Sequence, residues 1–163
     1  MVKMILCIDK NGAIGRNNDL LFKMKEDMKF FKEQTQNSIV VMGYNTWLSL
    51  GEKPLPNRFN IVLTDKVIED IRVATSMDLR ELIKILNRHK ERDIYIIGGA
   101  YVYNQALEMN LVDEILITVV PLEVMDADTK IDLELTKNFN KRKILKTFVN
   151  ENGVKVTIEK WNK

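Results

Sequence analysis

The sequence has few of the residues on which several kinds of site and fold depend. One cysteine, Cys7, excludes an intrachain disulfide, and a single histidine leaves little from which to build a metal site or a Ser–His–Asp triad. We therefore predict no metal site and a reducing compartment. Three prolines and seven glycines, with no repeat and no Gly/Ser/Pro-rich linker, predict a single domain over residues 1–163.

Long apolar runs and an excess of one charge are also missing. No stretch approaches the roughly 20 apolar residues of a membrane span. The run at residues 4–8 is too short for a signal-peptide core, so by elimination we expect a cytoplasmic protein. The 25 Lys and Arg residues against 23 Asp and Glu give a net charge of +2, which offers no general field for a polyanion. We expect no nucleic-acid or membrane partner, and no apolar surface stripe argues against a monomer.

What the sequence does contain is a regular alternation of apolar strands and helical patterns. Hydrophobic residues make up 45% of the chain and charged residues 29%, as in a globular protein with a real core. The predicted strands are 4–8, 39–42, 60–64, 94–97 and 115–120, with a C-terminal hairpin at 143–149 and 154–161; the predicted helices are 24–35, a short one after Gly43, one capped by Ser76 and ending at residues 88–90, and 101–108; residues 9–22 form a loop. This order predicts an α/β fold: a mostly parallel central sheet with an antiparallel C-terminal hairpin edge and helices on both faces.

Two places share one pattern, an apolar strand followed by glycine and a helix start. One is Gly43 and the other is the pair Gly98-Gly99. Glycine lets backbone approach a ligand, and a helix start presents free N–H groups that suit phosphate. Taken singly, each glycine is better interpreted as a plain turn. Together on one sheet, the two helix starts suit a ligand with two phosphate groups, such as a dinucleotide.

Asp27 is the sharper anomaly, because a helix places it on or beside the apolar stripe of Met24, Phe30 and Phe31. One interpretation is a solvated residue at the edge of that stripe. The other is a buried carboxylate that awaits a cationic or N–H-rich ligand, with its pKa raised by burial.

Other single residues carry weaker signals. Arg58 follows a proline-stiffened turn and could bind a ligand carboxylate, although most such arginines are solvated. Thr118 interrupts an apolar strand, where it is either ordinary or a hydroxyl that faces Asp27. Cys7 fits plain core, and His89 fits an exposed, inert helix end.

Read together, these residues resemble a dihydrofolate reductase over essentially the whole chain. Each motif is short and common, but their order and spacing are specific. The motifs are Ile14-Gly15, Asn18, Asp27 with Phe31-Lys32, Val41-Met42-Gly43, Thr46-Trp47, Leu50-Gly51, Pro54-Leu55-Pro56-Asn57-Arg58, Asn60, Ile97-Gly98-Gly99, Tyr103, Thr118 and Asp128-Thr129.

The resemblance implies reduction of 7,8-dihydrofolate to tetrahydrofolate by hydride transfer from NADPH. This reaction would supply one-carbon metabolism. Asp27 would bind N3 and the 2-amino group of the pterin, supported by Thr118, and Arg58 would hold the glutamate α-carboxylate. The peptide Gly98-Gly99 would be cis, and the loop from Asp9 to Phe22 would close over the nicotinamide. With Asp27 and Thr118, the implied catalytic residues include Leu20 and Phe22. Further substrate contacts would come from Ile5, Leu6, Met28, Phe31, Leu50 and Leu55. The implied cofactor contacts are Cys7, Ile14, Gly15, Asn18, Gly43, Tyr44, Asn45, Thr46, Leu63, Thr64, Asp65, Ile97, Gly98, Gly99, Ala100, Tyr101, Val102, Tyr103 and Thr129.

The chain departs from the family pattern in two regions. Leu20-Leu21-Phe22 replaces the usual Leu-Pro-Trp, so the loop is less stiff and the indole N–H is missing. Tyr44 and Tyr101 stand where basic residues are frequent, and Asp65 lies on a segment of the same pocket, where a carboxylate disfavours a 2′-phosphate. Lys66 could offset that carboxylate. We expect a weaker preference for NADPH over NADH than is usual, so use of NADH stays open.

Two other functions remain open. A pterin or pyrimidine reductase of the same fold, such as a riboflavin-pathway reductase, would lack the helix motif from Asp27 to Phe31. A non-catalytic folate- or nucleotide-binding module would keep the fold without turnover, and the departures at Phe22 and Tyr44 keep that possibility open.

Overall fold

A computed structural model describes residues 1–88 and 91–163. The strands of the described residues are β1 (Val2–Ile8), β2 (Ala13–Arg16), β3 (Asp19–Leu20), β4 (Ile39–Gly43), β5 (Phe59–Leu63), β6 (Val73–Ser76), β7 (Ile94–Gly98), β8 (Glu114–Val119), β9 (Thr129–Lys130), β10 (Lys141–Val149) and β11 (Lys155–Asn162). The helices are α1 (Lys25–Thr35), α2 (Tyr44–Ser49), α3 (Leu79–Asn87) and α4 (Ala100–Glu108), with a 3-10 turn at Leu133–Thr136. None of these helices has the length and apolar character that crossing a bilayer requires.

The central sheet has eight strands in the order β10-β11-β8-β1-β7-β4-β5-β6. The pairs from β8 through β6 are parallel, and β11 runs antiparallel to both β8 and β10. The predicted α/β class, with a mostly parallel sheet and an antiparallel hairpin at its C-terminal edge, is confirmed.

The central strands are apolar throughout because both faces of the sheet are covered. On β4, Val41 packs into the core that contains residues of α3 and α4, whereas Val40 and Met42 pack into the core beneath α1 and α2. Successive side chains of a strand point to opposite faces. The two cores therefore lie on opposite sides of the sheet, which confirms helices on both faces.

The predicted loop at residues 9–22 is partly wrong. It contains β2 and β3, which pair with β9 in a second, three-stranded sheet of order β3-β2-β9. Between them, Asn17 and Asn18 adopt left-handed backbone conformations with φ of 51° and 58°. Asparagine tolerates this region better than most residues. The turn is therefore real, but it joins two strands rather than forming an open loop.

Other boundaries differ from the prediction for local reasons. Asp78, not Ser76, caps α3, since its carboxylate accepts the backbone N–H of Glu81 at 3.0 Å. Ser76 instead ends β6, an edge strand that the sequence did not predict. The helix ends at Asn87, and the remaining predicted residues, His89 and Lys90, lie outside the described part of the chain.

Candidate active site

Asp27 and Thr118 meet at the carboxyl end of the central sheet. Asp27 lies in the first turn of α1, and Thr118 lies near the end of β8, where it pairs in register with Cys7 on β1. The Thr118 hydroxyl Oγ1 donates to Oδ1 of Asp27 at 2.5 Å. The prediction that this hydroxyl faces Asp27 is confirmed. Two residues 91 positions apart thus form one polar pair in otherwise apolar surroundings.

Burial shapes the electrostatics of this pair. It raises the pKa of the Asp27 carboxyl above its ordinary value, and the Thr118 hydrogen bond opposes that shift only in part. In the described residues, Oδ2 of Asp27 accepts no protein hydrogen bond, yet no fully buried side-chain oxygen or nitrogen lacks a partner. Oδ2 therefore reaches the surface of a cleft, where a ligand N–H could approach it.

Apolar side chains surround this carboxylate unevenly. Ile5 is buried and packs with the half-buried Phe31, Leu50 and Leu55 on one face of the sheet. Leu6 is 8% exposed and packs into the core on the other face. Its side chain therefore points away from the face on which Ile5 packs.

Met28 and the loop residues Leu20 and Phe22 are more exposed than Ile5. Met28, an implied substrate contact, is 60% exposed, whereas Met24 is buried. Leu20 is 63% exposed. Phe22 is half-buried against the cluster of Met24, Val120 and Val156.

Arg58 is fixed at the far end of α1. Its Nε donates to Oγ1 of Thr35 at 2.7 Å, Nη1 to the carbonyl of Pro56 at 2.8 Å, and Nη2 to the carbonyl of Lys32 at 3.4 Å. Partial burial lowers the pKa of Arg58 without removing its charge at neutral pH. The guanidinium is thus held in place by the helix and by its own turn, as the prediction of a stiff support requires.

Asn60 holds that turn together, a role that the sequence did not reveal. Its amide Nδ2 donates to the carbonyls of Leu55 at 3.0 Å and Arg58 at 3.1 Å, and its Oδ1 accepts the N–H of Leu55 at 3.0 Å. Asn60 is 1% exposed. A buried amide at the start of an apolar strand was the available signal.

The two glycine turns face each other across neighbouring strands. A Cβ on Gly43 would stand 3.8 Å from the carbonyl oxygen of Gly98, and one on Gly98 would stand 3.0 Å from Oγ1 of Thr46. The peptide Gly98-Gly99 is cis, as the resemblance implies. Side chains at these positions would collide with Val102 and Thr46, so bare glycine backbone packs closely where α2 and α4 begin, a place that we call the glycine cradle. Free backbone N–H groups at helix starts suit the diphosphate of a dinucleotide.

Two of the remaining predicted cofactor residues, Tyr103 and Cys7, have identifiable roles or surroundings near β1. Tyr103 is buried, and its hydroxyl donates to the carbonyl of Ile5 at 2.8 Å, which ties α4 to β1. Burial raises the pKa of the Cys7 thiol, so this residue remains a neutral thiol beside Thr118. The other predicted cofactor residues lie in three places. Those beside the cradle are Tyr44, Asn45, Ile97, Ala100, Tyr101 and Val102. Those on the small sheet and its turns are Ile14, Gly15, Asn18 and Thr129, and those at the end of β5 are Leu63, Thr64 and Asp65.

No group of three or more potential metal ligands is present among residues 1–88 and 91–163. The polar groups of the site are instead a carboxylate, a hydroxyl, a guanidinium and backbone amides. This set can recognise a flat nitrogen heterocycle, a carboxylate and a diphosphate.

Comparison with known proteins shows which family has a matching sequence. A family model described as dihydrofolate reductase matches residues 1–163. A dihydrofolate reductase of Ureaplasma parvum is 32% identical over 152 residues, which is 91% of this chain and 94% of the relative.

Two longer relatives match over part of their length. A protein of Mycoplasma pneumoniae named segregation and condensation protein A is 37% identical over 124 residues, 76% of this chain and 24% of the relative. A bifunctional dihydrofolate reductase-thymidylate synthase of Paramecium tetraurelia is 32% identical over 154 residues, 93% of this chain and 32% of the relative. The chain spans a third or less of the length of these two proteins.

Proposed function

Since the chain belongs to the dihydrofolate reductase family, we propose that it reduces 7,8-dihydrofolate to 5,6,7,8-tetrahydrofolate with hydride from NADPH. The observation that carries the proposal is the pairing of Asp27 with Thr118 in a cleft that adjoins the two glycine turns. The family uses a nicotinamide cofactor; NADPH in particular is our proposal for this chain.

Asp27 suits the guanidine-like edge of a pterin. Two N–H groups of that edge, at N3 and the 2-amino group, match the two oxygens of one carboxylate. Thr118 already occupies one lone pair of Oδ1 and so fixes the plane of the carboxyl group, while Oδ2 is accessible. A charge-assisted pair in a poorly solvated cleft is stronger and more selective than one in water.

Arg58 suits the opposite end of the same substrate. Asp27 and Thr35 are eight residues apart on α1, which corresponds to a rise of about 12 Å, and the guanidinium is bonded to Thr35. Phe31 lies midway between Asp27 and Thr35 on α1 and packs in the same core region as Leu50 and Leu55. This order of groups matches a folate: heterocycle, apolar ring, carboxylate.

The cofactor side depends on backbone and on the small sheet. A bound nicotinamide dinucleotide supplies the hydride. The starts of α2 and α4 would hold its diphosphate through backbone N–H groups. Ile14, Gly15, Asn18 and Thr129 would cover the nicotinamide and exclude water. Phe22 offers no hydrogen-bond donor, so Asp27 and Thr118 would be the polar side chains at the pterin.

A turnover assay tests this function directly. Purified protein is mixed with dihydrofolate and either NADPH or NADH, and oxidation of the cofactor is followed by absorbance. We expect oxidation that requires both substrates. Binding of folate and dinucleotide without turnover would instead select the non-catalytic module, and turnover of a pyrimidine substrate alone would select the other reductases of this fold. The monomeric state and the cytoplasmic location remain predictions of the sequence.

A further inference from the structure

A cavity of about 320 Å³ lies on the face of the central sheet opposite to the pair of Asp27 and Thr118. Ile8 on β1 and Val119 on β8 line it, and both pack into the core that contains residues of α3 and α4. Each directly follows a residue of the candidate active site, Cys7 or Thr118, whose side chain points to the other face. The cavity is therefore a separate space that the proposed function does not use.

Arg142 on β10 lines this cavity and has no charged partner. It pairs in register with Trp161 on β11, and its guanidinium carbon lies 3.6 Å from the centre of the indole ring. Its Nε donates to the carbonyl of Phe139 at 3.1 Å, whereas Nη1 and Nη2 make no hydrogen bond or ion pair within residues 1–88 and 91–163. A guanidinium that is stacked on an aromatic ring and has two free nitrogens is oriented to bind a carboxylate through both of them.

Glu159 on β11 contacts the same indole and is satisfied by neutral donors. Its Oε1 accepts the Nε1–H of Trp161 at 3.0 Å, and its Oε2 accepts the hydroxyl of Thr157 at 2.6 Å. Within the described chain it forms no ion pair. These bonds fix the half-buried carboxylate without neutralising its charge, and each oxygen keeps a lone pair for a further donor.

The charges around the cavity favour a ligand that carries both signs. Lys10 also lines it, but its Nζ lies 3.6 Å from Oε2 of Glu123, so this charge is partly matched. Among the lining residues of the described chain, Arg142 and Glu159 are then the unpaired charges. They are diagonal neighbours on antiparallel strands, about 7 Å apart, a separation that one zwitterion can span. A simple anion would be repelled by Glu159, and a simple cation by Arg142.

The rest of the lining is largely apolar. Ile8, Val119 and Leu133 contribute aliphatic side chains, and Trp161 is 4% exposed. The volume is near the lower limit for small-molecule sites, which suits a compact ligand with a hydrocarbon group.

We propose that this cavity binds a small apolar α-amino acid, whose carboxylate pairs with Arg142 and whose ammonium group pairs with Glu159. Its side chain packs against Ile8, Val119 and Leu133. The proposal does not depend on the proposed function, because it uses no residue of the candidate active site.

Isothermal titration of the full chain with L-leucine tests the proposal without turnover. We expect one site with a dissociation constant of about 1 mM or lower. Three analogues each remove one contact: 4-methylpentanoate lacks the ammonium group, leucinamide lacks the carboxylate, and glycine lacks the hydrocarbon side chain. Each is expected to bind about tenfold more weakly than leucine or worse. No saturable binding of leucine, or binding of any of the three analogues as tight as that of leucine, would overturn the proposal.

Variants that remove one charge locate the site. Arg142→Gln and Glu159→Gln are each expected to weaken leucine binding by about tenfold, and Glu159→Gln to tighten binding of 4-methylpentanoate, because a like charge is removed. Lys143→Gln is the matched control, since Lys143 is exposed on the same strand, pairs with Lys160 and points to the other face of the sheet. Unchanged leucine binding in either cavity variant, or an equal loss in Lys143→Gln, would contradict the assignment.

A spectroscopic signature tests the same site in the unaltered chain, so it does not depend on how the variants fold. The two tryptophans give two indole N–H signals in a ¹H–¹⁵N spectrum, and the signal that moves in Glu159→Gln is that of Trp161. Leucine is expected to shift this signal and to leave that of Trp47, which packs on the other face of the sheet, in place. A shift of the Trp47 signal as large as that of Trp161, or no shift of either, would overturn the proposal.

Discussion

Two acidic residues near the carboxyl end of β1 have opposite surroundings. Asp9 follows β1 directly and is 1% exposed. Its Oδ1 accepts the backbone N–H groups of Asn11 at 2.8 Å and Ala13 at 2.9 Å, and its Oδ2 accepts that of Val124 at 2.9 Å. Asp27, by contrast, has one protein partner, the Thr118 hydroxyl.

The difference separates a structural carboxylate from a binding one. Three backbone N–H groups satisfy Asp9, so a ligand could gain little from it, and it instead fixes the turn that leads into β2 and the segment at Val124. Asp27 is partly removed from water, and its accessible Oδ2 has no protein partner among the described residues. A side chain in that condition gains most when a ligand supplies the missing donors.

The largest expected effect is the loss of catalytic activity in the variant Asp27→Asn. The amide keeps the shape of the carboxyl group but cannot carry its charge, and its NH₂ group would oppose the pterin N–H groups. We expect kcat/KM for dihydrofolate to fall by about 10²–10⁴-fold, with dinucleotide binding unchanged, as measured by steady-state kinetics and titration.

Glu33→Gln is the matched control for this variant. Glu33 lies on the same helix, and its side chain is 63% exposed. We expect wild-type kinetics from Glu33→Gln. Activity of Asp27→Asn within threefold of wild type would remove Asp27 from the site and would leave no distinction between it and Asp9.

The next effect is on stability, where the order of the two residues reverses. Asp9→Ala leaves three backbone N–H groups without their acceptor, so we expect the free energy of unfolding to fall by about 3 kcal/mol. Asp27→Ala loses one hydroxyl contact and a poorly solvated charge, and we expect little change. Urea denaturation of both variants measures the difference. Equal loss in the two would show that the number of backbone partners does not distinguish them.

The fold could be predicted because its determinants are local. Continuous apolar strands such as residues 39–42 and 94–97, each closed by glycine, mark a buried parallel sheet. The small sheet could not be found in this way. β3 and β9 have two residues each, and they are strands only because they pair with β2. β9 comes to this pairing from a distant part of the chain.

Part of the site could be predicted, because single residues in unusual positions point to it. Asp27 stood out because it fell on an apolar stripe, and Arg58 because a stiff turn preceded it. The pairing of Asp27 with Thr118 spans 91 residues, so the local pattern leaves a hydroxyl that faces Asp27 as one of two interpretations of Thr118, and the family resemblance favours it. Asp9 and Asn60 were missed as positioning residues because their partners are backbone groups, which the sequence does not show.

The smallest effect is a pH dependence of stability that Asp27 alone should contribute. Burial raises the pKa of Asp27 in the folded state, so between the unfolded value of about 3.9 and the folded value the native protein binds more protons than the unfolded chain. The wild type therefore loses stability relative to Asp27→Asn as the pH rises through this interval, and the gap stays constant above it. We expect the variant to be the more stable protein at pH 7, and the gap to close as the pH falls toward the unfolded value. Urea denaturation of the ligand-free proteins from pH 4 to 8 measures this, with the exposed Glu33→Gln on the same helix as the reference variant. A gap that widens toward acid would mean that the Asp27 carboxylate is stabilised in the folded protein, and would contradict the direction of the shift.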